Sequence, residues 1–190
     1  EEGELSEDEV VRGVKRGFAE ARIAPVLCAA AARPLGVDRV LQFIADEFPS
    51  PTDRGPVTVI AKDGEEKQRA CDPDQPLTGY VFKTVSDPFV GHITMFRVFS
   101  GRMRPDASVS NATKGTDARI GQLFTLRGKE HDTLSEVPAG DIAAVAKLAH
   151  TTTGDTFSTK DDPVTLPAVE MPEPLLAFAI TPKTKGDEDK

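Results

Sequence analysis

Between Asp87 and Asp155 the chain alternates apolar and polar residues in short runs, DPFVGHITMFRVFSG, VSNATKG, ARIGQLFTLRG and VPAGDIAAVAKLAHTTTGDT, broken by Gly, Pro, Asn and Asp. Successive side chains of a strand point to opposite faces, so this alternation lets a sheet bury one face, and closely spaced turn residues call for antiparallel neighbours. Strands are expected near 78–86, 91–100, 106–111, 118–127, 133–137, 141–148, 155–158 and 164–167. AGDIAAVAKL is apolar almost throughout, as a central, well-buried strand requires. Phe82, Phe89, Phe96, Phe99 and Phe124 supply most of the aromatic bulk and are expected in the core rather than as a base-stacking platform.

The first fifty residues follow a different period. Ser6 to Glu9 has the S-x-x-E form of a capping box, and Val11, Val14 and Phe18 then recur at helical spacing. Pro25–Cys28 reads as a short apolar strand. Val37, Val40, Leu41, Ile44 and Phe48 make one stripe of a second helix that Pro49-Ser50-Pro51 ends. Residues 1–50 thus predict helix, strand, helix, a small α/β remnant whose one strand lacks parallel partners. Its apolar surfaces must pack on the strand-rich part of the chain, meet another chain, which allows a dimer, or stay poorly ordered. Residues 51–75 are rich in turn formers and charge and read as a connector, with a short strand at Val57–Ala61 and a tight turn at Asp63-Gly64. Residues 171–190 read as the truncated start of another domain, with a strand at Leu175–Ile180 and a helix opening at Gly186-Asp187.

Composition excludes several classes. The 190 residues are 38% apolar with 15 glycines, ordinary for a globular chain. No apolar run approaches the roughly 20 residues of a membrane helix, and the acidic start EEGELSEDE lacks a secretory layout. Cys28 and Cys71 are too few for a zinc site; Cys28 is expected as a buried thiol, and a reduced cytoplasmic setting follows. The net charge of −8 argues against indiscriminate coating of nucleic acid. Acid concentrates at the ends, in Glu1, Glu2, Glu4, Glu7, Asp8 and Glu9 and again in Asp187, Glu188 and Asp189. From Arg97 to Lys129 the balance reverses: seven cations against two acids, Asp106 and Asp117, leave +5. Such a face suits docking on a phosphate backbone, or is simply a solvated strand face.

The phosphate-binding pattern G-x-x-x-x-G-K-[ST] and the guanine-reading Asn-Lys-x-Asp occur nowhere, so the chain is not expected to hydrolyse GTP by that route. His92, His131 and His150 are dispersed without metal-ligand spacing and read as surface histidines. Gly101, Gly115, Gly140 and Gly154 sit at turns, and Thr151–Asp155 reads as a hydroxyl-stabilised turn rather than a phosphate site. No G-x-S-x-G elbow supports a hydrolase.

DPFVG, FRVFSG, NATKG, AGDIAAV and TTTGDT, in that order, resemble the second domain of elongation factor G, the ribosomal translocase. PVLCAAAARPLGV over 25–37 is similar to the end of that family's G domain, and EMPEPLLAFAITPKTKGDEDK to the opening of its third domain; 51–75 match least. The resemblance implies a mainly β fold with a closed antiparallel barrel over 76–170. It also implies a chain cut from a longer GTPase, whose GTP and Mg²⁺ belong to the absent part. The barrel would contact small-subunit ribosomal RNA, relay the nucleotide state of the G domain, and bring Arg102, Lys114, Arg119 and Arg127 to the RNA. Ala29, Ala30 and Ala31 stand where the family carries a Gly-Ser-Ala guanine loop, so Ala30 has lost the hydroxyl and keeps a backbone donor. The alternative is a protein-interaction barrel of a diverged paralogue, suggested by that loop and by the acidic balance outside 97–129.

Overall fold

The computed structural model describes residues 3–87, 90–128, 130–169 and 172–182, and the chain divides between Arg54 and Gly55 into two compact units. Phe89, Lys129, the terminal acids Glu1 and Glu2, and the helix expected at Gly186-Asp187 lie outside the described residues.

The first unit opens with α1 (Glu7–Ala19). Its expected cap forms: the Ser6 hydroxyl accepts the Glu9 amide at 3.4 Å, and the Glu9 carboxylate accepts the Ser6 amide at 2.9 Å. Two otherwise orphaned donors are satisfied together. Helix α2 (Val37–Glu47) follows Gly36, which takes a left-handed φ of 71°. Phe18 holds the two helices together, its ring 4.9 Å from Phe48 and 6.1 Å from Phe43, and Lys15 Nζ donates to the Asp46 carbonyl at 2.8 Å. Neither helix buries a residue.

The strand expected at Pro25–Cys28 is not there. A strand needs a ladder partner for its backbone groups, and the one bridge in this stretch, Ala30 to Leu35, closes a local turn instead. The unit is therefore helix–coil–helix rather than an α/β remnant, and Cys28 is exposed, not a buried thiol.

The second unit is antiparallel β. A hairpin of β1 (Val57–Ala61) and β2 (Glu66–Arg69) occupies the stretch expected as a connector, and it pairs with β13 (Val164–Thr165). Arg69, 8% exposed, meets Asp162 and ties the hairpin down. The remaining strands are β3 (Thr78–Asp87), β4 (Gly91–Ser100), β5 (Arg102–Met103), β6 (Ser108–Asn111), β7 (Thr116–Arg119), β8 (Leu123–Arg127), β9 (Glu130–Leu134), β10 (Val137–Pro138), β11 (Ile142–Ala146) and β12 (Thr156–Ser158). Eight form one sheet in the order β7-β6-β12-β3-β4-β11-β8-β9, and β5 pairs separately with β10.

The single strand expected over 118–127 is two strands, β7 and β8, split at Ile120–Gln122. These strands stand first and seventh in the sheet order, yet the chain from Arg119 to Leu123 spans at most about 14 Å. The sheet must therefore curl. Ile120 marks the crossing, fully buried and donating its amide to the Ala107 carbonyl at 2.9 Å. One core fills the concave side: Val81, Phe96, Val98, Leu123, Val145 and Phe157 belong to a single cluster, with Phe96 and Phe157 edge-to-face at 5.9 Å. As expected, β11 is central, between β4 and β8, with Ala143, Ala144 and Val145 buried. Gly101 (φ 74°) closes the β4–β5 corner so tightly that a Cβ would lie 2.6 Å from Leu77 Cα.

Two further expectations fail. Leu175–Ile180 forms no strand, and Leu175, Leu176, Phe178 and Ile180 are exposed. Phe82 is not core either. Val81 pairs with Phe96 and Lys83 with Met95, so Phe82 is the extra residue of a β-bulge and projects outward.

Candidate functional site

Register shows which side chains share the convex face. Cross-strand partners point the same way, so Tyr80, Arg97 and Ile142 form one row; Lys83, Met95, Ala144 and Phe124 a second; Val85, Ile93 and Ala146 a third. Ile93, Phe124 and Ala144 are buried within a second apolar cluster that also draws in Val85, Met95 and Leu126. The sheet thus carries apolar packing on both faces. Phe99, expected in the core, lies half-buried on this outer side, with the Arg97 guanidinium 5.6 Å from its ring centroid.

Next to this cluster opens a cavity of about 550 Å³. Its wall includes Phe124 and His131, whose rings stack at 4.7 Å and 17°. Gln122 and Thr133, joined by a 3.2 Å hydrogen bond, add polar edges, and Arg119, Asp106 and Lys147 add charge. Asp106 (φ 59°) and Lys147 (φ 65°) are left-handed without being glycine. Such backbone costs of order 1–3 kcal/mol and concentrates at functional positions. Lys147 is held there by its amide, which donates to the His92 carbonyl at 2.7 Å.

The four cations expected to face RNA each have acidic company. Arg102, on β5, contacts Glu136 at 2.9 Å and Asp74 at 3.2 Å. The hydrogen bonds it donates, to Asp74 first and Glu136 second, push its pKa above the ordinary arginine value. Arg119 ends β7 and pairs with Asp106 at 3.5 Å; Arg127 ends β8 and pairs with Glu130 and Asp132 at 2.8 and 3.6 Å. Among the described residues no two of the four share a partner. Arg119 and Lys114 lie at opposite ends of the β6–β7 hairpin, since Arg119 faces Ser108 while Lys114 sits in the turn. The structure therefore does not join them into one contiguous patch by contact.

Lys114 differs in kind. Its Nζ lies 2.8 Å from the His150 carbonyl, 2.8 Å from Thr152 Oγ1 and 3.2 Å from Asp155 Oδ2. Asp155, almost fully buried, also accepts from Asn111 Nδ2 at 2.8 Å and from the Thr152 amide at 2.9 Å. This network shapes the Thr151–Asp155 turn, and Lys114 acts as its clamp. The cations of the sheet unit with no acidic partner among the described residues are Lys62, Lys83, Arg97 and Lys147. Lys83 and Arg97 stand on the convex face and Lys147 lines the cavity beside it.

In the first unit, Ala29, Ala30 and Ala31 are exposed. The Ala30 amide, the donor expected to remain for a guanine oxygen, instead donates to the Leu35 carbonyl at 2.9 Å. No cluster of three or more His, Cys, Asp or Glu able to hold a metal ion occurs among the described residues. No described helix is long and apolar enough to cross a membrane.

His131 and Lys147 were the least legible members of the cavity. Alone in sequence, His131 reads as a surface residue of GKEHD, and Lys147 signals itself only as the cation that interrupts AGDIAAVAKL.

Comparison with known proteins places this geometry. Residues 76–160 match the family described as elongation factor G domain 2. A crystal structure of a protein from Thermus thermophilus is similar over 90% of this chain, at 26% identity and a TM-score of 0.61. This chain spans 22% of that protein's length.

Proposed function

We propose, from the match of residues 76–160 to the elongation factor G domain 2 family, that the chain serves translation elongation as a ribosome-docking module, working in the cytoplasm. The curled sheet is then a closed barrel of the translation-factor second-domain type, a reading supported by the Ile120–Ala107 crossing and the β5–β10 pairing. The barrel docks on small-subunit ribosomal RNA and relays the nucleotide state of a GTP-binding domain. GTP and Mg²⁺ belong to that domain, and this chain is not itself the hydrolase. The remainder of the parent chain, or a second copy, covers the helix pair.

Of the four expected contacts, Arg102, Arg119 and Arg127 can exchange acidic partners for phosphate. Exposed pairs such as Arg119–Asp106 contribute only about 0–1 kcal/mol. Lys114 supports docking indirectly, through the turn it clamps. The observation that carries the proposal is the family match across 76–160. Sedimentation of the full chain with purified small ribosomal subunits tests it: co-pelleting that weakens steeply with salt is expected. A folded chain left in the supernatant at low salt would overturn it. The second reading, a protein-interaction barrel, draws on the acidic partners found at every expected cation; it requires one protein partner and no subunit binding.

A further inference from the structure

Resting on that docking reading, we infer that the cavity beside β8 and β9 receives a single unpaired nucleotide of an RNA strand. Several observations meet there. The cavity, about 550 Å³, is of the size that takes a small ligand. His131 is exposed, covers the buried Phe124 with one ring face, and has no other ring partner among the described residues. A base added to its outer side extends a stack that already exists, and such stacking tolerates any base. Gln122 and Thr133 offer donors and acceptors at the rim for a base edge.

Charge completes the match. Among the described residues Lys147 has no acidic partner and Arg119 has Asp106 alone, the Arg119 and Asp106 side chains each 79% exposed. A phosphate brings a stronger acceptor set than one solvated carboxylate, so Arg119 can turn to it while Asp106 returns to water. Asp106 also sets a limit, because its carboxylate repels an anion that does not displace it. The left-handed backbone at both Asp106 and Lys147 places strain at two of the residues lining the ligand space, where a preformed site would keep it. Beyond the cavity, the convex face continues with Lys83 and Arg97, cations without acidic partners among the described residues that suit the phosphates of flanking nucleotides.

The test uses the full chain and a short labelled single-stranded RNA, followed by fluorescence anisotropy. Single-stranded RNA is expected to bind more tightly than a fully paired duplex of equal length. His131→Ala should weaken binding at least about fivefold. Lys147→Gln should weaken it and lower the salt slope by about 0.7, one phosphate contact. Lys62→Gln makes the same charge change on the β1–β2 turn and should leave affinity unchanged. Denaturation midpoints of each variant confirm that the sheet is intact. Equal affinity for duplex and single strand, or folded variants that bind like the unaltered chain, would overturn the inference. So would a free mononucleotide or an acidic peptide that competes as well as the strand. Subunit co-pelleting that persists in His131→Ala and Lys147→Gln with unchanged affinity would sink the nucleotide site and leave docking standing. Loss of subunit binding by the unaltered chain would sink docking itself.

Discussion

Both units are well supplied with apolar residues and use them in opposite ways. The sheet unit buries Phe96, Val98, Val145 and Phe157 completely, whereas the helix pair buries nothing in either helix and leaves Val26, Leu35 and Leu41 exposed. Hydrophobic burial contributes roughly 25 cal/mol per Å², so the sheet has an internal source of stability that the helices lack. The difference teaches that regular secondary structure and a stable unit are separate achievements. A capping box and aromatic contacts suffice for a helix pair; only a curled sheet with filled concave space makes a core.

Two probes separate the units. Tyr80 is the sole tyrosine and the chain has no tryptophan, so intrinsic fluorescence follows the sheet unit, while far-UV helical signal follows the first. The largest expected effect is Phe96→Ala, which should lower the stability of the fluorescence transition by roughly 3–5 kcal/mol. Phe43→Ala should cost the helical transition about 1 kcal/mol of ring contact and leave Tyr80 unmoved. Equal shifts of both probes in either variant would mean that the units unfold as one and would erase the contrast.

Gly101→Ala comes next. Its left-handed backbone alone costs roughly 1–3 kcal/mol for another residue, and the new Cβ meets Leu77 backbone. Urea titration by fluorescence should show an early midpoint; an unchanged one would contradict the tight corner.

Lys114→Met sharpens the distinction among the cations. It strips one partner from buried Asp155 and should destabilise the sheet by about 1–2 kcal/mol, between the values for exposed and buried pairs. Arg127→Gln, at an exposed pair, should cost under about 1 kcal/mol. Similar costs for both would remove the clamp role.

The smallest effect belongs to the helix pair. Hydrogen bonds from the Ser6 backbone and then its hydroxyl lower the Glu9 pKa below 4.5. A carboxyl with a depressed folded pKa stabilises fully above its unfolded value, and that contribution fades as pH falls through the folded one. Helical signal should therefore decline slightly below about pH 4.5, and Glu9→Gln should flatten that decline.

Much of this organisation is legible in sequence because it is local. The Ser6–Glu9 cap, the α2 stripe and the alternation of β4 and β11 each carry their own period. What sequence hides is partnership. Pro25–Cys28 and Leu175–Ile180 have strand chemistry and no ladder partner among the described residues. The +5 balance of 97–129 looks like an open basic face only until Asp74, Glu136 and Asp155, all outside that window, reach in to Arg102 and Lys114. Among the described residues, three of the four sheet-unit cations left without acids, Lys62, Lys83 and Lys147, fall outside the window, and Arg97 stands at its edge. The bulge that expels Phe82 and the left-handed turn at Lys147 are products of register, which no single segment encodes.

If the chain docks as proposed, one of its surfaces meets the small ribosomal subunit, and amide hydrogen exchange of the full chain, free and bound to small subunits, reads directly which one. Protection should concentrate on the convex face and its cavity rim, in residues 91–97, 122–133 and 142–147. Protection confined to residues 3–54, or none at all in a chain that still pellets with the subunit, would contradict it.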